Sequence, residues 1–470
     1  MQAVATALTD FVARRVADGP PGPGADGLPA GPQSPPVAQM FGFLFRPASF
    51  LEACRDRFGD ALTIRIPGVP PIVQFSDPDA IKQVFASGHE DMHAGEANSV
   101  LEPFLGTYSL LILDGERHLS QRRLLLPPFR GERMRAYGEA MRDITRERMA
   151  RWPLGRTFRM QSATQDITLD VILRTVFGME EGAQQDRMRE LLVRALRILD
   201  NPVFIVRTFQ KDYGPLSPWG RFLRLREEVY AEMAALVSER RRERDAGGPE
   251  RDDILSMLLG ATHEDGTPMS DEEIRDELFT LLIAGHETTA TALSWTVSRL
   301  TEHPDVLARV QRELDEAFPD GEVDPAKLRE LPYLDAVCKE TLRVHPVIPG
   351  VGRVLQRPQT IGGHALPAGV AVGCSIYLAH TNPAVWPEPG RFDPERFLGA
   401  RPTPYTFFPF GGGIRRCIGE AFALYEMRVV LATVLLRLVP EAAPGYRPRT
   451  VRRNITLTPA RGLPIRFRRR

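Results

Sequence analysis

One cysteine is placed to do chemistry. Cys417 lies near the end of a glycine-rich run, Phe410-Gly411-Gly412-Gly413-Ile414-Arg415-Arg416-Cys417-Ile418-Gly419, and the apolar stretch from Ala421 to Val430 reads as a helix after it. A thiol at a helix N-terminus meets unpaired backbone N–H groups and the positive end of the helix dipole, which favour thiolate over thiol. Arg415 and Arg416 add positive charge. The glycines at 411, 412, 413 and 419 let the backbone approach whatever lies over the sulfur. A thiolate set among donors suits a soft metal centre. A lone cysteine is ordinarily an inert small hydrophobe, and Cys54, Cys338 and Cys374 keep that reading.

Three further groups could do chemistry. Ala284-Gly285-His286-Glu287-Thr288-Thr289 interrupts an apolar periodicity with glycine and two β-branched residues, poor choices for a helix centre. A local rule broken inside a consistent helix points to function: Gly285 removes bulk for a flat ligand, Thr288 can bond back to the preceding turn, and Glu287 is a proton source beside it. A glycine contact between crossing helices is the competing reading. His118 and Arg122 are four apart and share a helix face, as do many solvated pairs. Glu340 and Arg343 are three apart and can pair, which on a surface contributes little.

These groups need elements to hold them. Ser270 and Glu273 form a capping box opening a helix that ends near Pro304, with apolar positions at Ile274, Leu278, Leu281, Leu282, Ala292, Leu293 and Val297. From 270 to 301 it would run roughly 48 Å, the depth of a domain. Residues 333–345 read as a second helix, 139–200 and 219–246 as helical, and 62–66 with 72–75 as a hairpin. Asp77-Pro78 starts a helix, and 87–107 reads as a long loop. Asn454 to Thr458 alternates like a strand.

Composition sets the bounds. The chain has 470 residues, 43% of them hydrophobic, and no net charge, so a large core is expected and nucleic-acid binding is not. Four scattered cysteines suggest a reducing, cytoplasmic setting. No apolar run approaches the length of a membrane span. Val4, Leu8, Phe11 and Val12 would line a short amphipathic helix, or the terminus frays. Residues 1–38, rich in proline and glycine from Gly19 to Pro36, read as a flexible extension, and 39–470 as the catalytic domain. The apolar connector Asn201–Val206 and Tyr213-Gly214-Pro215 could line a substrate entrance, touch lipid or pack in the core.

The pattern F-x-x-G-x-R-x-C-x-G at Phe410, Gly413, Arg415, Cys417 and Gly419 resembles the haem-binding signature of the cytochrome P-450 family, the haem-thiolate monooxygenases. Ala284–Thr288 resembles that family's acid–alcohol motif, Glu340-x-x-Arg343 its E-x-x-R element, and Phe392-Asp393-Pro394-Glu395-Arg396-Phe397 its P-E-R-F pattern, in the family's order. The resemblance covers roughly residues 40 to 470. It implies a mainly helical fold with small β-sheets, haem b as cofactor and Cys417 as iron ligand. It implies Glu287 and Thr288 as the proton relay, and Ala284, Gly285, Phe410, Gly411 and Gly419 beside the haem. His118, Arg122, Arg353 and Arg415 would bind the propionates, with His118 where many relatives carry tryptophan. Glu340, Arg343 and Arg396 would form a structural triad.

The implied reaction inserts one atom of dioxygen into a C–H or C=C bond of a hydrophobic substrate. A separate donor, a ferredoxin or flavodoxin with its reductase, would supply electrons to a monomeric enzyme. An acidic donor could dock on Arg122, Arg123, Arg130, Arg133, Arg135, Arg415 and Arg416, if these share a face. Leu125–Phe129, Gly131–Gly138 and Gly285–Ala290 resemble the cyanobacterial-type branch, which holds fatty-acid hydroxylases and sesquiterpene oxidases. The expected pocket, Phe104, Phe279, Leu282, Ile283, Val347, Ile348, Val351 and Ile455, is apolar. It favours a fatty acid, with a terpenoid or other secondary metabolite as the alternative. A peroxide-dependent haem-thiolate enzyme and a non-catalytic haem or lipid binder are the rival classes.

Overall fold

The computed structural model describes residues 13–20, 24, 26–129, 133–199, 207, 210–214, 216–249, 251–399 and 402–470. Val4, Leu8, Phe11, Val12, the connector 201–206 and Pro215 lie outside the described residues. The chain divides into two compact units. The first comprises residues 1–100, 340–417 and 449–458, and the second 101–339, 418–448 and 459–470.

The first unit is built on a mixed sheet of five strands, in the order 61–64, 72–75, 371–374, 351–355, 92–93. The expected hairpin forms, with Ala61 opposite Phe75 and Ile64 opposite Ile72. Buried Val73, Phe75, Ile81, Val84, Val372, Cys374 and Ile376 form its core, packed by the helix Pro78–Ala86. Asp77 caps that helix by accepting from the Ala80 N–H at 2.8 Å, with proline at the first position. Residues 87–107 hold a short strand and three helical turns in place of the expected loop. The proline-rich stretch is no loose lead-in over residues 28–34. Thr63 N–H donates to Ala30 O, Thr63 Oγ1 donates to Pro29 O at 2.6 Å, and Gln39 Nε2 binds Pro32 O and Ser34 O.

The second unit is helical. The long helix runs Asp271–Glu302 and opens on the expected capping box, Ser270 with Glu273. It packs along the helix Met160–Thr175. The span 139–200 is three helices, Arg133–Ala150, Met160–Thr175 and Ala183–Leu199. The first break falls at Pro153 and Gly155, where φ is +75°. Among the described residues no helix is long and apolar enough to cross a membrane.

Candidate active site

In the first unit the cysteine loop is braced from below by a buried ion pair. Glu340 and Arg343 are both fully buried and meet side-on, Nε to Oε2 and Nη2 to Oε1, each at 2.7 Å. Arg343 then spends its remaining donors on the carbonyls of His380, Pro389 and Arg391 at 2.9 to 3.1 Å. Glu340 also accepts the Asp393 N–H at 2.9 Å, and Arg396 Nε lies 3.6 Å from it. Burial pushes the Glu340 carboxyl above its ordinary range, while the bonds from Arg343 pull the other way. Glu340, Arg343 and Arg396 thus lie together, with Arg396 Nε near Glu340 but outside hydrogen-bond distance.

His380 was not foreseen. Its carbonyl takes Arg343, and its Nε2 accepts the Phe408 N–H at 3.0 Å, two residues before the cysteine loop. Burial, then the Arg343 charge, pushes its pKa down to about 3, so it is a neutral acceptor. Nothing in Ala379-His380-Thr381 marks it in sequence, because both partners are distant in the chain.

The loop itself turns back so that Cys417 N–H donates to Phe410 O at 3.0 Å. Gly411 and Gly413 take φ of +69° and +65°. The glycine reading needs correction at two positions. A Cβ on Gly412 would stand 2.3 Å from the Phe85 ring, and one on Gly413 2.3 Å from the Phe85 carbonyl. These two keep room for the helix Pro78–Ala86, not for a ligand. Gly419 has an ordinary φ and is the N-cap of Glu420–Leu435. Cys417 is exposed, as is Ile414, whereas Cys54, Cys338 and Cys374 are buried and pushed up to about 12. Arg353 and Arg415 line one small cleft with Phe85, Met92 and Gly412.

In the second unit His118 is buried and Arg122 half-buried on the helix Gly115–Leu125. The middle of the long helix is polar towards Met160–Thr175. Glu287 is half-buried and held by two amides four residues apart: Gln165 Nε2 donates to Oε2 at 2.6 Å and Gln161 Nε2 reaches Oε1 at 3.5 Å. Thr168 Oγ1 donates to His286 O and Thr164 Oγ1 lies 3.0 Å from Ala290 O. Gln161 and Gln165 escape a motif-based reading, although their spacing puts them on one helix face. Thr288 Oγ1 donates back to Ala284 O at 2.6 Å, as expected.

Gly285 does not face open space. A Cβ there would stand 3.0 Å from Ile172 Cδ1, so its smallness serves the helix crossing, the competing reading. Ala284, one residue earlier, is exposed between half-buried Ile283 and Gly285.

The expected pocket residues divide. Phe104 packs against Trp219 and Phe222 at centroid distances of 4.9 and 5.4 Å, and Phe279 meets Tyr230 edge-on. Leu282 has no exposed surface, and Val347 is buried. These four are buried against other side chains. Ile283, Ile348, Val351 and Ile455 are half-buried and keep open surface. The arginines of the expected docking face also divide. Arg130 lies outside the described residues, and Arg123 pairs with Glu264.

The residues fit a flat, apolar-faced group with a metal and two carboxylates. In the first unit an exposed cysteine follows the apolar, exposed Ile414 and two arginines share a cleft; in the second, exposed Ala284 stands between half-buried Ile283 and Gly285.

Comparison with known proteins agrees. The family model described as Cytochrome P450 matches residues 29–464. Cytochrome P450 135B1 of Mycobacterium tuberculosis is 41% identical over 451 residues, covering 94% of this chain and 92% of the relative. Cytochrome P450 138 of the same species is 36% identical, covering 96% and 98%. Among solved structures, retinoic acid-bound cyanobacterial CYP120A1 superposes with a TM-score of 0.81 at 26% identity, covering 92% of this chain and 96% of that one. The P450DA heme domain matches in fold, with a TM-score of 0.77 at 24% identity over 96% and 97%. A match spanning nearly the whole chain at this identity settles membership: the chain belongs to the cytochrome P450 family and is a monooxygenase of that haem-thiolate class.

Proposed function

We propose that the chain inserts one oxygen atom from dioxygen into a C–H or C=C bond of an elongated apolar substrate, a fatty acid first. The observation that carries the reading is the exposed Cys417 at the end of a loop tied through His380 to the Glu340–Arg343 pair. Haem b, once bound, supplies thiolate-assisted dioxygen activation. Cys417 is its ligand. Arg353 and Arg415 would bind its propionates by charge-assisted bonds, as would His118 and Arg122. Ala284 gives it a flat neighbour, as do Phe410 and Gly411 of the loop.

Glu287 and Thr288 handle the proton. Gln161 and Gln165 position the Glu287 carboxyl group, which is half-buried. Thr288 Oγ1, anchored on Ala284 O, is the hydroxyl next to it. This pair separates the reading from a peroxide-driven enzyme, which needs no proton delivered to dioxygen. Electrons come from a separate ferredoxin or flavodoxin.

A terpenoid substrate is the second reading, favoured by the isoprenoid acid bound in CYP120A1. The half-buried Ile283, Ile348, Val351 and Ile455 suit either. The test is a spectral titration of the ferric protein with fatty acids of graded length and with sesquiterpenes. Soret shifts that vary with chain length support the fatty-acid reading, and shifts with terpenes alone replace it. The reduced carbonyl complex should show the strongly red-shifted Soret band of thiolate ligation. C417S should lose that band, and a wild-type protein lacking it would overturn the monooxygenase reading.

A further inference from the structure

Arg343 and Arg452, two of the buried arginines of the first unit, differ in one respect. Arg343 has every face of its guanidinium matched by a carboxylate or carbonyl. Arg452, on the strand Thr450–Arg453, is only 9% exposed, yet makes no ion pair or hydrogen bond among the described residues. Its Nε and Nη2 are fully covered and unmet. Burial without a counter-charge pulls its pKa down to about 10. A buried, unpaired cation is costly, and a protein that keeps one usually has an anion for it.

The geometry of the unmet atoms says which anion. Nε–H and Nη2–H are the two parallel donors on one edge of the guanidinium, the pair that grips a carboxylate side-on. The Phe43 ring lies over the guanidinium at 4.5 Å, occupying a face and leaving the in-plane donors without a polar partner. Phe43 belongs to the helix Pro36–Phe45, which packs on this strand and exposes Val37, Phe41 and Phe45 on its outer face.

Along the chain from Arg452, half-buried apolar residues link this strand to the segment beside the cysteine loop. The strand turns at Asn454, whose φ is +50°, and presents half-buried Ile455. The returning strand is pinned by Leu457 N–H to Val347 O at 2.7 Å. Half-buried Ile348 and Val351 follow Val347, and the Val351 side chain reaches within 3.8 Å of where a Cβ on Gly411 would sit.

We propose that Arg452 is the anchor for the carboxylate of an apolar monocarboxylic acid, whose tail runs along Ile455, Ile348 and Val351 towards Gly411. The inference rests on the monooxygenase reading above and names the substrate class as acids, fatty or isoprenoid. Held by its head, the acid offers carbons remote from the carboxylate for oxidation. Both nitrogens are covered, so the acid reaches them by displacing half-buried Phe43.

The test compares each acid with its alcohol, by calorimetric titration of the haem-loaded enzyme. Dodecanoic acid is set against 1-dodecanol, and retinoic acid against retinol. Wild type should bind the acid of at least one pair about tenfold to a hundredfold more tightly than its alcohol. The responding pair tells fatty from isoprenoid substrates. R452M keeps the buried stem and should erase the preference while holding alcohol affinity within about twofold. R452M should also melt no lower than wild type without ligand, because it removes an unpaired charge. No acid preference in either wild-type pair, or a preference that survives R452M, would overturn the proposal. If R452M melts far lower or fails to fold, R452K decides: it keeps charge and stem but not the fork, and an undiminished acid preference overturns the anchor. The reduced carbonyl spectrum of the same preparations separates the two readings. Its red-shifted band can stand while the acid preference fails, and the reverse.

Discussion

Two glutamates of this chain are both gripped by donors, and they are gripped differently. Glu340 is fully buried against a guanidinium and a backbone N–H, and its cationic partner spends its remaining donors on three carbonyls. Glu287 is half-buried and accepts from two neutral amides. The first arrangement spends every donor of its arginine on one rigid frame. The second positions a carboxyl group that keeps part of its surface open. Charge-matched burial builds a frame, whereas amide-clamped half-burial builds a group that can act.

Breaking the frame should have the largest effect. R343A leaves Glu340 buried without its partner and three carbonyls unmet, a loss of about 3–5 kcal/mol. Thermal unfolding should fall steeply, and little protein with the thiolate-type carbonyl band should be recovered. A variant that melts like wild type would mean the pair is ornamental. At Glu287 the fold should survive and the chemistry suffer. E287Q should keep its melting point and carbonyl spectrum while dioxygen-dependent turnover drops on the order of a hundredfold. If turnover with peroxide drops equally, the proton-relay reading of Glu287 fails.

Weakening the clamp sharpens the contrast further. Q165L removes the shorter of the two amide bonds, worth about 1 kcal/mol, so turnover should fall several-fold with the fold intact. Q165E instead places a second carboxylate beside Glu287 and raises its pKa. The pH profile of turnover should then move to higher pH, which a merely structural glutamine would not cause.

The smallest effect is expected at His380. Its folded pKa of about 3 lies below the ordinary 6.5, so the unfolded chain binds a proton that the native one does not. Stability is therefore fully present above about 6.5 and is lost as pH falls from there through 3. H380Q, which keeps an acceptor for the Phe408 N–H, should show a flatter decline of melting temperature over that window.

What the sequence made legible were local patterns. The capping box at Ser270, the run from Phe410 to Gly419 and the Glu340–Arg343 spacing each lie within ten residues or so, and each is realised. What it hid depends on partners far along the chain. Gly285 reads as room for a ligand until Ile172 is found beside it. Phe104 reads as a pocket wall until Trp219 and Phe222 close on it. His380 and Gln165 carry no motif, because a single histidine or glutamine acquires meaning only from the backbone or carboxylate it meets. The breaks inside 139–200 went unread because helical propensity either side masks one Pro153-Leu154-Gly155 step.

Glycines beside a reactive sulfur usually suggest suppleness. Gly412 and Gly413 mean the opposite, since their missing side chains are where Phe85 and its carbonyl fit like a key in a lock. The thiol therefore inherits the stiffness of the helix Pro78–Ala86 and has little freedom of its own. Its electronic tuning becomes partly a matter of shape. A change at Phe85 would therefore reach the cysteine loop through Gly412 and Gly413.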